Sequence, residues 1–204
     1  MSSPTRPQPP AWHGRLAKQL ARIERDNGFA ADCRKGWAFE PLEVLDMAEP
    51  IVLVLDGDED TEPDERVPAR QQEAVTTAVH YTLALYAFHQ QSKNRPMHRH
   101  GISLGHAAQM LQTEMPSKDG AHDRFRAAHG ADLVEELIEH LRGFTSLLHS
   151  YGIPLDYVAL AEALVAWPNE KRRSGLRRSW GMDFKRRLTP KTPDTDADTI
   201  STKD

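Results

Sequence analysis

Residues 69–91 read ARQQEAVTTAVHYTLALYAFHQQ, and they decide the fold. Val75, Val79, Thr82, Leu83, Tyr86 and Phe88 recur at the spacing of a helical face, and the segment closes on the polar run His89, Gln90, Gln91 and Ser92. No stretch of sustained period-two alternation appears on either side of it, whereas helical spacing recurs throughout. The expected fold class is therefore all-α.

Working toward the N-terminus, residues 56–68 form an acidic loop, because Gly57, Pro63 and Pro68 interrupt any helix and the charges are costly to bury. Leu42 to Leu55 is helical, with Pro50 expected to kink it or to end one helix and begin another. Ala30, Ala31 and Cys33 mark a short helix. Trp12, Leu16, Leu20 and Ile23 mark one face of a first helix that stops near Asn27 and Gly28. Toward the C-terminus, Lys93 to Gly101 is a basic loop and Ser103 caps a helix holding Leu104, Ala107, Ala108 and Leu111. Asp132 and Glu135 have capping-box spacing before a long amphipathic helix that runs from Leu133 through Leu141 and Leu148 to Tyr151, and Gly152 is placed to end it. Pro154 opens a helix closed by Pro168, and a last helix over residues 169–188 sets Leu176, Trp180, Phe184 and Leu188 four apart.

These elements divide into a disordered arm (1–10), an N-terminal helical domain (11–92), the basic loop (93–101), a C-terminal helical bundle (102–188) and a disordered tail (189–204). The chain of 204 residues, 39% hydrophobic and 27% charged, has the balance of a water-exposed protein. Its longest apolar run, Ile51 to Leu55, is too short to cross a bilayer, and prolines break the N-terminus before a signal sequence can develop. One cysteine, Cys33, excludes an internal disulfide and a multi-thiolate zinc site, and reads as a small core residue of a protein kept in a reducing, cytoplasmic setting.

Net charge is −4, but its distribution matters more. Residues 40–65 hold eleven acids and no base, so the rest of the chain carries +7. Lys171, Arg172, Arg173, Arg177, Arg178, Lys185, Arg186 and Arg187 stand against the single acid Asp183. A run of charge is ordinarily a solvated face balanced by acids one turn away, and here that balance is missing. Unneutralised like charges repel until a polyanion cancels them, and guanidinium forks match phosphate oxygens in pairs. The last helix is thus read as a phosphate-binding surface, with its basic side chains around the outside and its apolar stripe docked inward. Lys93, Arg95, His98, Arg99 and His100 form a second basic patch, equally readable as a polar loop.

His98, His100 and His106 invite a metal reading, but no acid or thiol at helix-ligand spacing accompanies them. His80, His89, His140 and His149 lie near apolar positions and read as satisfied core or groove residues. Trp12, Trp37, Trp167 and Trp180 are assigned to core packing, because no aromatic alternates with the basic residues as a base-stacking ladder requires. Such a chain holds a backbone and does not read bases. No nucleophile elbow, phosphate loop or dinucleotide fingerprint appears, so no catalytic residue and no cofactor is assigned.

Three segments carry a family resemblance: 84–92 (ALYAFHQQS) followed by Arg95, Pro96, Met97 and His98; 140–143 (HLRG) leading to 152–157 (GIPLDY); and Trp167, the arginine-rich stretch and 180–184 (WGMDF). Asp26, Gly28, Ala31, Arg34 and Lys35 add a weaker echo. In order and spacing they resemble the CasB family, the small subunit of the type I-E CRISPR Cascade complex. The resemblance implies a two-domain helical subunit without enzymatic activity. It implies as partners the guide RNA-containing complex and its backbone subunits, the displaced strand of target DNA, and a second copy associated head to tail. Arg142 and the arginines after Trp167 match the family's basic positions, so nucleic-acid contact is expected at Arg34, Lys93, Arg95, Arg99, Arg142, Arg172, Arg173, Arg177, Arg178, Lys185 and Arg186. Met182 and Lys185 depart from the pattern, where an arginine and an aromatic residue are expected. The competing readings are a free-standing DNA-binding regulator, a histidine metalloenzyme, and an architectural protein whose basic helix meets an acidic protein surface.

Overall fold

The computed structural model describes residues 9–115 and 118–186, the side chains of residues 118 and 119 excepted. The first eight residues of the expected arm, the tail 189–204, Arg187 and Leu188 lie outside the described residues. The order is α1 (Ala11–Arg25), α2 (Asn27–Lys35), a short 3-10 turn (Gly36–Ala38), α3 (Leu45–Asp56), a second such turn (Pro63–Glu65), α4 (Ala69–Gln90), α5 (Leu104–Glu114), α6 (Lys118–Gly130), α7 (Val134–Tyr151), α8 (Tyr157–Ala166) and α9 (Glu170–Lys185). Among the described residues the only β-type pairing is an isolated bridge between His98 and Leu155, so the fold is all-α.

Helix α4 is the central post. It packs against α1, α2 and α3 on one side and against α7 and α8 on the other, and its Val79, Leu83, Tyr86 and Ala87 are fully buried. Burial all round explains why it is apolar on more than one face. On the N-terminal side Leu16, Leu20, Met47, Ile51 and Val54 complete the packing. Pro50 neither ends a helix nor begins one: it lies inside α3, buried, where it costs one backbone hydrogen bond in the second turn. Asp26 caps α2 by accepting from Phe29 N at 2.9 Å.

Helix α6 was not expected from the sequence. Its apolar face is Ala121, Phe125 and Ala128, mostly alanine, which leaves almost no hydrophobic periodicity to read. Helix α7 starts differently from expectation. The N-cap is Leu133 and not Asp132, so Glu136 takes the third helical position in place of Glu135 and accepts from Asp132 N at 3.0 Å, while the Asp132 carboxylate meets Arg177 at 3.0 Å. Gly152 ends α7 in the left-handed region (φ 63°), with Ile153 N donating to Leu148 O at 2.9 Å, as a glycine there permits. Pro154 does not open α8. Asp156 does, accepting from Ala159 N at 3.0 Å.

Helix α9 is locked to α5 through a glycine. A Cβ added at Gly105 would stand 2.1 Å from the Trp180 carbonyl oxygen, which is backbone and cannot rotate away. Gly105→Ala is therefore expected to cost about 1–3 kcal/mol, the usual range for a forced backbone shift in a packed interior. Urea unfolding checks it, and an unchanged midpoint would mean that α5 and α9 part without penalty.

Candidate nucleic-acid interface

The basic residues of α9 separate into two groups by helical angle. Lys171, Arg178 and Lys185 are seven apart, nearly two full turns, so they line up on the side away from Trp180 at intervals of about 10 Å. All three are exposed, as are Arg172 and Arg186. Arg173 falls within the arc of Leu176, Trp180 and Phe184, Arg177 lies at its edge, and both turn inward. Arg177 Nη2 donates to Gly130 O at 3.0 Å, Ala131 O at 2.5 Å and Asp132 Oδ1 at 3.0 Å, and its guanidinium lies 5.6 Å from the Trp167 ring. Arg173 Nη1 donates to Trp167 O at 3.2 Å.

The expectation that every basic side chain of this helix stands outside is corrected at these two positions. Both donate to carbonyls left free at helix ends, Arg177 after α6 and Arg173 after α8. Asp183, the one acid in the stretch, also turns inward. Its Oδ2 accepts from Ser103 Oγ at 2.7 Å and its Oδ1 lies 3.7 Å from His106 Nε2. Among the described residues Arg177 alone of the helix's basic residues has a carboxylate partner, so the outer line remains unneutralised.

The basic loop 93–101 is pinned along its length. Leu155 N donates to Met97 O and Arg99 N to Leu155 O, at 2.9 and 3.1 Å. Gln90 serves as its template. The side-chain amide donates to Lys93 O and Arg95 O, and its oxygen accepts from Met97 N at 2.8 Å. Arg95 Nη2 donates to Gly152 O at 2.8 Å, while Arg99 is exposed. Buried Asp156 accepts from Gly101 N at 2.8 Å, and His100 Nδ1 lies 3.0 Å from its Oδ2. Tyr157 N donates to His98 Nδ1 at 3.1 Å, and burial pushes that imidazole below its ordinary pKa despite the opposing pull of Asp156. Two histidines thus hold the loop, His98 through Tyr157 N and His100 through Asp156, while His106 on α5 faces Asp183 on α9. Among the described residues no three His, Cys, Asp or Glu side chains converge as a metal site.

Arg34, Arg142 and Lys93, far apart in sequence, come onto adjoining clefts. Arg34 and Arg142 flank a cleft of about 440 Å³ with Trp37, Leu85 and Phe88 on its walls. Arg34 also borders the next cleft, which Lys93 lines. Trp12, Trp167 and Trp180 are core residues, as expected, whereas Trp37 is only partly buried, with the Arg142 guanidinium 5.1 Å from its ring. No sequence signal distinguished Trp37 from the other three, since its surroundings come from α4 and α7. Arg95 and Arg99 border a separate shallow cleft with Glu114 and Tyr151. Cys33 is buried and burial pushes its thiol up to about 12, far from a nucleophile's range.

Among the described residues the fold is all-helical, and the outer line of α9 is a cationic strip without a carboxylate partner. The sequence model of CRISPR-associated protein Cse2 matches residues 29–184, and the chain belongs to that family. The crystal structure of CasB from Thermobifida fusca is similar to it with a TM-score of 0.67 at 26% identity, covering 86% of this chain and 96% of that one. A CRISPR-associated protein of the Cse2 family from Thermus thermophilus shares the fold with a TM-score of 0.63 at 18% identity, covering 85% of this chain and 97% of that one. No curated protein matches the chain significantly. No helix among the described residues is long and apolar enough to cross a membrane.

Proposed function

We propose that this CRISPR-associated chain is a non-catalytic subunit of a type I-E Cascade complex that grips nucleic-acid backbone and stabilises the R-loop. The observation that carries the reading is the outer line of Lys171, Arg178 and Lys185, exposed while the neighbouring acid Asp183 is used internally. Arg172 and Arg186, and beyond α9 Arg34, Lys93, Arg95, Arg99 and Arg142, extend the cationic surface. The partners in this reading are the guide RNA-containing complex with its backbone subunits, the displaced DNA strand, and a second copy of the chain. Exchange of one DNA strand for guide RNA is nearly balanced in base-pairing energy, so neutralising the displaced strand's phosphates is enough to tip it.

The test is R-loop lifetime in the assembled complex with and without this subunit, across a salt series. Addition of the subunit is expected to lengthen the lifetime most at low salt, with the gain fading as salt rises. A gain independent of salt would point to a purely architectural role.

A further inference from the structure

We propose that the cleft between α2, α4 and α7 accepts one unstacked base of a single-stranded nucleic acid, with the flanking phosphates on Arg34 and Arg142. The inference rests on the backbone-holding reading and adds a base contact to it. The cleft has the right chemistry in three respects. Its floor is apolar, from Ala84, Leu85 and Phe88, and its volume of about 440 Å³ is suited to a nucleotide-sized group. Trp37 supplies a ring held in place edge-on by Tyr81, with centroids 5.7 Å apart at 69°, and the Arg142 guanidinium lying 5.1 Å from that ring swings to the phosphate when a base stacks there. No residue lining this cleft is acidic, and both ends of its wall carry guanidinium groups.

The surroundings favour a strand over a lone small molecule. The adjoining cleft continues the positive rim from Arg34 to Lys93, and its one carboxylate, Glu24, accepts from the Tyr86 hydroxyl. A polyanion running from Arg142 to Lys93 meets Glu24 as the one carboxylate lining the two clefts, set between Arg34 and Lys93. Every base has a π-face, so stacking on Trp37 is sequence-tolerant, and a paired duplex would first have to extrude a base. The site thus selects for single strands and not for sequence.

The experiment compares the full-length protein's affinity, by fluorescence anisotropy at low salt, for oligothymidylate and for an abasic deoxyribose-phosphate strand of equal length and charge. Wild type is expected to favour oligothymidylate by about tenfold, within the range of one stacked base. Trp37→Leu should abolish the preference while leaving abasic affinity unchanged, and Trp37→Phe should keep most of it; circular dichroism melts establish that both variants fold. Equal affinity of wild type for the two strands overturns the base site and leaves backbone holding intact. Equal weakening of both strands by Trp37→Leu also overturns it. Binding of neither strand removes the backbone reading together with this one. If Trp37→Leu leaves the strand preference intact but releases the chain from its complex, the cleft is a protein dock and the inference fails.

Discussion

Replacing Lys171, Arg178 and Lys185 together with alanine is expected to weaken single-strand binding about 100-fold near 0.1 M salt. Each phosphate contact on a single strand contributes about 0.7 to the slope of log K against log salt, and the contribution vanishes near 1 M. At 0.1 M one contact is therefore worth about fivefold, and three multiply to about 100. The same variant should flatten the salt slope by about 2. Because all three side chains are exposed, folding stability should change little, by about 0.5 kcal/mol or less.

Arg177→Ala is the informative contrast. It removes donors to Gly130, Ala131 and Asp132 and leaves two carbonyls after α6 without this partner. About 2 kcal/mol of stability should be lost, as for other hydrogen bonds made by a charged group. Weaker binding in that variant would report loosening of the α6–α9 junction. The measurement is a pair of titrations, one of strand affinity across salt and one of urea unfolding, on both variants. Unchanged affinity and slope in the triple variant would mean that phosphates are held elsewhere.

This separation within α9 was only half legible in the sequence. The surplus of arginine was plain, and so was the stripe of Leu176, Trp180 and Phe184. On a helical wheel Arg173 sits within the stripe and Arg177 at its edge, a signal present in the numbering but outweighed by the charge count. That they would find carbonyls there depends on where α6 and α8 end, which is a tertiary fact. Helix α4 was legible because its apolar residues are large and numerous, and Ser103 and Gly152 because caps act through local backbone geometry. Helix α6 was hidden because an alanine face carries little hydrophobic contrast. The Trp37 cleft was hidden for a different reason: its walls come from three helices, and a tryptophan's sequence neighbours do not say whether a cleft opens beside it. Gln90 shows the same limit in another form. It reads as an ordinary polar residue at a helix end, yet its amide fixes the course of the whole basic loop.

Acidification from pH 7.5 to 5 is expected to cost at least about 2 kcal/mol of folding stability, and His89 is the chief reason. Its ring is fully buried, with Nδ1 2.8 Å from the Tyr157 hydroxyl and Nε2 without a protein partner. Burial first, then the neighbouring His149 and Lys93, lower its pKa to about 3 against an ordinary 6.5. Around it stand Tyr157, whose hydroxyl burial pushes upward in pKa, and Thr145, neither of which supplies a compensating negative charge. In the unfolded chain the same ring takes up a proton below pH 6.5, so the unfolded state binds more protons throughout the window from 6.5 down to about 3. Stability is therefore complete above 6.5 and falls as pH drops, by about 2 kcal/mol at pH 5 for this one group. His80, hydrogen-bonded to the Gly36 and Phe39 carbonyls, and His98 and His13 are shifted downward by burial as well and add in the same direction. The melting temperature should drop by about 4–8 °C from His89 alone. Urea unfolding at the two pH values, on wild type and His89→Gln, isolates its share: the variant's stability should fall by about 2 kcal/mol less than that of wild type over the same interval. An equal fall in both proteins would place the proton taken up on unfolding elsewhere. A nuclear magnetic resonance titration of wild type gives an independent reading, in which the His89 ring should stay neutral down to about pH 4.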